Sequence, residues 1–393
     1  GLFDELTPEK YPLVEPVDLE SALKCALTLA SYRSHCQDIM NTQMPEFPQE
    51  FSGFTPPRAY RIEVSDRYQL SIDLSFAEKV VAFYNSNSAD FETALRLSRH
   101  PIIENMLTHR RDLGYIEPPL PDDSDYARFI LLSADDSPET MIFKWLNPHN
   151  LFGFADFYRY RENYDSLVDV IREREKFFSD RVMGHISWFL MEPLRIHDTI
   201  GIGINWGIRS WATADGYGSN IIMFKDNYEM FLQTVTHETF HRFQLHLCPV
   251  APSLRDKPQR EFEDLVHWDF ADLKDHKFYE VLSHIALEGT ASYVSGMYYD
   301  ESRMESVREA LMLLQKCHRA VYDYEDFEEA DELLNEGLVS NGPFYVLGYY
   351  ISKELVDNNG TSVLGWVLMR GPLQFYKTYI DQSEGPQTTA ELP

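Results

Sequence analysis

Thr236-His237-Glu238-Thr239-Phe240-His241 is the stretch that decides how this chain is read. The residues around it, Tyr228 to about Leu247, predict a helix. Phe231, Leu232, Val235, Phe240 and Phe243 give it an apolar face, Asp226 or Asn227 a cap, and Pro249 a stop. Residues four apart share a helix face, so His237 and His241 offer two imidazoles to one metal ion. Glu238 then stands beside that ion, placed to take a proton from water.

A catalytic zinc takes three protein ligands and keeps one position open. Position 247 is Leu, so the chain lacks the third histidine that a metzincin carries there. His246 lies nearly opposite His237 on the helix and is not a ligand. A carboxylate on a later helix is therefore expected, and the best placed is Glu288 in Ala286-Leu287-Glu288-Gly289-Thr290-Ala291-Ser292-Tyr293. Its neighbours are apolar or small. An unpaired carboxylate among them is costly, and a metal partner removes that cost. Gly289 and Ala291 are read as the small residues that let this helix come close to the histidine helix. His284, one turn before Glu288 on the same face, reads as a group behind the ligands or as a packed histidine.

His-Glu-x-x-His followed by Glu288-Gly289-x-Ala291-x-Tyr293 resembles the gluzincin metallopeptidases, the clan of thermolysin and the aminopeptidase N relatives. Some 57 residues past Glu288, Tyr345-Val346-Leu347-Gly348 is similar to the Tyr-x-x-Gly motif of the aminopeptidase N relatives. The resemblance implies a thermolysin-like catalytic core, with Zn2+ held by His237, His241 and Glu288. It implies Glu238 as general base and Tyr345 as donor to the oxyanion. Leu334-Asn335-Glu336-Gly337 is a rival for the Glu-Gly element, but Glu336 stands only nine residues before Tyr345, too near for the family order. The 46 residues between His241 and Glu288 exceed the aminopeptidase N spacing, and no Gly-x-Met-Glu-Asn stretch is present to hold a free amino terminus. The wider spacing points to a bacterial gluzincin-like family with longer insertions. By the same analogy, the strand at Asn220–Phe224 is the sheet edge on which an extended peptide would pair, with Asn220 in the cleft.

The chain as a whole agrees with an enzyme that folds around a large core. It has 393 residues, 44% of them hydrophobic and 14% aromatic, enough for two or three domains. The net charge of −28 argues against nucleic acid or an anionic membrane as the main partner. No apolar run of 18 or more residues is present to span a membrane. Cys25, Cys36, Cys248 and Cys317 include no Cys-x-x-Cys pair, and a 25–36 disulfide stays open. Gly1 reads as a scar of tag removal on a chain trimmed of its signal peptide, so an exported location is expected, periplasmic, cell-surface or extracellular, with a cytoplasmic one left open.

The fold class expected is α+β, mostly helical. Residues 1–180 read as a mainly helical region, 181–381 as the zinc catalytic domain and 382–393 as a disordered tail. Within the first region, helices are expected at 19–40, 76–85, 91–99 and 102–111, strands between Tyr60 and Ile72, a loop over 117–124, and one long amphipathic helix over Asp156–Asp180. Thr199–Trp206 and Asn220–Phe224 alternate as strands around a turn at Asp215–Gly218. Helices follow at about 260–273, 278–297, 307–322 and 344–358. The function expected is hydrolysis of a peptide or protein substrate. The alternatives are a gluzincin-like binding protein and a zinc hydrolase of non-peptide amides or esters.

Overall fold

The computed structural model describes residues 68–86, 90–112, 127, 130–131, 164–190, 196–204, 210–213, 216–221, 228–257, 260–297, 304–338 and 342–383. The expected helix at 19–40, the strand at 60–64, the loop at 117–124, the Cys25–Cys36 question and the tail from 384 lie outside these residues. The fold is α+β and mostly helical, with one small sheet. It divides into two interleaved compact units, Arg58–Ser187 with Pro193–Arg242, and Gly1–Pro57 with Trp188–Glu192 and Phe243–Pro393.

The first unit carries the sheet. Its strands are β1 (Tyr68–Asp73), β2 (Ile196–Gly203), β3 (Ser210–Ala212) and β4 (Tyr217–Asn220), in the spatial order β1-β2-β4-β3. β1, β2 and β4 run parallel, and β3 is antiparallel to β4. Three short helices follow β1 at the expected places: α1 (Ser75–Tyr84), α2 (Phe91–Ser98) and α3 (Pro101–Asp112). Asp90 caps α2 through the Thr93 N–H.

The long helix expected over 156–180 is, within the described residues, two: α4 (Tyr164–Glu173) and α5 (Glu175–Ile186), broken at Arg174. α5 has a separate task. Its Ser179 hydroxyl accepts from the Leu70 N–H and its Glu175 carboxylate from the Ile72 N–H, at 3.3 and 3.0 Å. These donors lie on the outer edge of β1, so side chains of α5 cover an edge that would otherwise be open to another strand.

The expected turn at 215–218 is shorter, because β4 already begins at Tyr217. Gly218 lies directly opposite Trp211 in the ladder, and a Cβ there would meet the indole at 2.3 Å. The glycine that suggests a turn is a strand residue lying under a buried tryptophan.

Helix α6 (Tyr228–Leu247) matches the expected span and carries the His-Glu-x-x-His stretch. The boundary between the two units falls inside it, after Arg242. In the second unit come α7 (Phe262–Val266), α8 (Leu273–Val294), α9 (Met304–Arg319), α10 (Phe327–Leu338), α11 (Pro343–Asn359), α12 (Ser362–Leu368) and α13 (Pro372–Ser383). α7 is shorter than expected because His267 turns extended and Trp268 packs on Ala251 and Tyr279. α8 starts five residues earlier than expected, capped by Asp272. The last two helices have no counterpart in the sequence reading. Free Cys248 and Cys317 are buried, and burial pushes both thiols up to about 12.

α8 is buried almost all round, so it is a core helix rather than a surface one. Its contact with α11 is backbone on backbone. A Cβ on Gly289 would fall 2.2 Å from Gly348 Cα, and one on Gly348 would fall 2.2 Å from Ile285 O. This corrects the expectation for Gly289: the close approach that it permits is to the Tyr345 helix, not to the histidine helix. The sequence reveals that something must come close; the identity of the neighbour is set by the tertiary fold.

Gly289→Ala or Gly348→Ala is therefore expected to destabilise the protein by about 1–3 kcal/mol or more, since neither backbone can move aside alone. Gly184→Ala on the exposed face of α5, where a Cβ meets nothing within 4 Å, should instead gain about 0.5–1 kcal/mol. Urea denaturation midpoints of the three variants check the contrast.

Candidate metal centre

The four-residue spacing on α6 acts as expected. The Nε2 atoms of His237 and His241 face each other at 3.0 Å, with ring centroids 4.6 Å apart. Both histidines are buried, at 6% and 4% exposure, and Glu238, next to His237 in the chain, is at 7%. Glu288, half-buried on α8, completes the set: the ligand atoms of His237, His241 and Glu288 all lie within 4.8 Å of one another.

Zinc fits this donor set. Zn–N bonds of about 2.0–2.1 Å at tetrahedral angles place two nitrogens about 3.3 Å apart, close to the spacing found. Facing imidazole nitrogens share either a proton or a cation, and the added carboxylate favours the divalent cation. Two neutral nitrogens and one carboxylate oxygen also match the ligand types of a catalytic site, which leaves a position for water.

Two residues of α6 hold it in place, and the sequence reading had singled out neither. Arg242, next to His241, donates through Nε to Asp198 Oδ2 on β2 at 2.9 Å and through Nη1 to the Thr213 carbonyl at 2.7 Å. Its guanidinium lies 5.7 Å from the centre of the Tyr217 ring on β4. The Arg242 and Asp198 side chains are only 14% and 17% exposed, so the pair is largely desolvated. Burial, with Asp198 nearby, pushes the Tyr217 phenol well above its ordinary range. Gln244, fully buried, donates to the Leu287 carbonyl and to Thr290 Oγ1 on α8, at 2.8 and 3.0 Å. The signal that would have found both is a polar side chain directly beside a core phenylalanine, Phe243, since a polar group drawn into the interior needs a buried partner.

The remaining sequence candidates fall as follows. Tyr345 is half-buried in the first turn of α11, three residues before Gly348 and so on its face of the helix. His284 is half-buried one turn before Glu288, packed on Phe262 at 5.6 Å between ring centres. Burial lowers its pKa against the pull of Glu280 and Glu288. It is not in the ligand set. Glu336 is exposed on α10, and among the described residues it joins no metal group.

Of the expected strand at 220–224, only Asn220 and Ile221 are among the described residues, and Asn220 alone is in a strand. It is buried at the end of β4, and β4 is flanked by β2 on one side and β3 on the other. Asn220 pairs with Gly203 of β2, and the described ladder with β3 reaches only to Ser219. The described strand edges belong to β1 and β3, and α5 covers that of β1.

Two histidines and a carboxylate with ligand atoms within 4.8 Å of one another are the donor set of a zinc protein. Residues 121–384 match the family model described as "Putative zinc dependent peptidase (DUF5700)". That match covers two thirds of the chain, and the chain belongs to this family. No curated protein and no solved structure matched it. The matched span includes every residue of the centre, and Zn2+ is its cofactor.

His237→Ala and Glu288→Ala are each expected to purify without stoichiometric zinc, whereas Glu336→Ala keeps it. Metal analysis of the folded proteins by inductively coupled plasma mass spectrometry reads the difference.

Proposed function

We propose that this chain is a gluzincin-type zinc metallopeptidase with a thermolysin-like core, in which His237, His241 and Glu288 are the ligands and Glu238 is the general base. The observation that carries this reading is the convergence of two histidines and a carboxylate from separate helices, with Glu238 adjacent to His237. Zinc, when bound, supplies a Lewis acid for the scissile carbonyl and acidifies water at the site.

The chain's own groups supply the rest. The Glu238 carboxylate accepts a proton from the attacking water as its oxygen bonds to the carbonyl carbon. The same carboxyl then gives that proton to the departing amine as the C–N bond breaks, so the residue ends as it began. The Tyr345 hydroxyl donates to the carbonyl oxygen as negative charge develops there. Support for Tyr345 comes from Gly348, which holds α11 against α8 one turn from the tyrosine and one residue from Glu288. For an extended peptide, β3 is the strand edge that fits, since its outer side carries no strand among the described residues.

Glu238→Gln is expected to keep zinc and lose roughly 10²–10⁴-fold in peptide hydrolysis. Tyr345→Phe is expected to keep zinc and lose about 10²–10³ in kcat with little change in KM. Digestion of a peptide library, followed by mass spectrometry, reads both. A wild type that holds zinc but cleaves only ester or non-peptide amide substrates would overturn the peptidase assignment.

A further inference from the structure

We propose that Gln244 is a positioning residue for the metal centre: its side-chain amide fixes the register of α8 against α6, and with it the place of Glu288 opposite His237 and His241. The inference rests on the zinc reading above.

Gln244 follows His241 by three residues and His237 by seven, so all three share one face of α6. Its side chain is wholly buried. Nε2 carries two hydrogens and both are used, one on Leu287 O at 2.8 Å and one on Thr290 Oγ1 at 3.0 Å. The Thr290 hydroxyl has its own acceptor, Ala286 O at 2.8 Å, so the chain of donors is complete. Leu287 and Thr290 bracket Glu288.

Register matters here because apolar helix contacts tolerate sliding. A slip of α8 by one residue would turn Glu288 by about 100° and move it about 1.5 Å along the axis, enough to take its carboxylate away from the imidazoles. Leucine or methionine would fill the space of Gln244 without the desolvation that a buried amide costs. A saturated pair of hydrogen bonds at this one level of α8 instead selects a single register. Gln244 contacts the backbone and hydroxyl beside Glu288, so it acts through that residue.

The test measures zinc affinity by competition with a chromogenic chelator, on the full chain, in four proteins: wild type, Gln244→Met, Thr290→Val and Tyr376→Phe. Tyr376 Oη donates to Leu282 O at 2.8 Å, so its phenylalanine variant loses a comparable buried bond onto α8, away from Glu288. Gln244→Met is expected to weaken zinc binding about 10–100-fold. Thr290→Val should weaken it less, and Tyr376→Phe should bind zinc as wild type does while unfolding at lower urea. Loaded with Co2+, Gln244→Met should also show an altered visible ligand-field spectrum. Should Gln244→Met not fold, Thr290→Val against Tyr376→Phe decides. Wild-type zinc affinity in Gln244→Met, or equal weakening in it and Tyr376→Phe, overturns the proposal. A wild type that binds no zinc would overturn the metal reading itself, a separate outcome.

Discussion

Everything at the centre depends on one helix being unable to shift. α6 is fixed by two side chains only two positions apart: Arg242, tied to Asp198 and the Thr213 carbonyl, and Gln244, tied to Leu287 and Thr290. The first is a desolvated ion pair extended by a backbone acceptor, and the second a buried amide with both hydrogens engaged. Neither is a strong stabiliser in net terms, because each must first give up its hydration. Their value is directional. The apolar residues of α6 make it a core helix, and these polar residues orient it about its own axis.

A second constraint works on α8. Residues 285–290 receive Gln244 from α6 and Gly348 from α11 within little more than one turn. Glu288 lies in that span. A half-buried carboxylate still loses part of its hydration, and α6 and α11 are both fastened to α8 next to it. Preorganisation of this kind is what a metal site needs, since ligands that must be gathered at binding lose affinity.

The sequence revealed the centre better than it revealed the fold around it. His237, Glu238 and His241 were legible because a four-residue spacing has one geometric meaning on a helix. Glu288 was legible because a carboxylate among apolar and small residues needs an explanation, while Glu336, with a better local match, stands too near Tyr345 for the family order. What sequence could not supply was partnership. Gly289 announced a close approach without naming α11. The order β1-β2-β4-β3 could not be read either, since spatial order in a sheet is not fixed by order along the chain. Arg242 and Gln244 read as ordinary polar helix residues until Asp198, Leu287 and Thr290 are brought to them from 44, 43 and 46 residues away. The attachment of α5 to β1 is likewise invisible in the periodicity, because Leu70 and Ile72 lie some 100 residues earlier.

The glycine crossing has an evolutionary side. Where two helices meet through side chains, a larger residue on one is accommodated by a smaller one on the other, and the spacing can drift by small steps. Gly289 and Gly348 leave no such route, since both are already the smallest residue and the atoms in contact are main chain. The spacing between the Glu288 and Tyr345 helices is thus a fixed gauge that gradual substitution cannot widen. Diversification of substrate preference in chains built this way is confined to side chains elsewhere along α8 and α11 and to the loops that carry them.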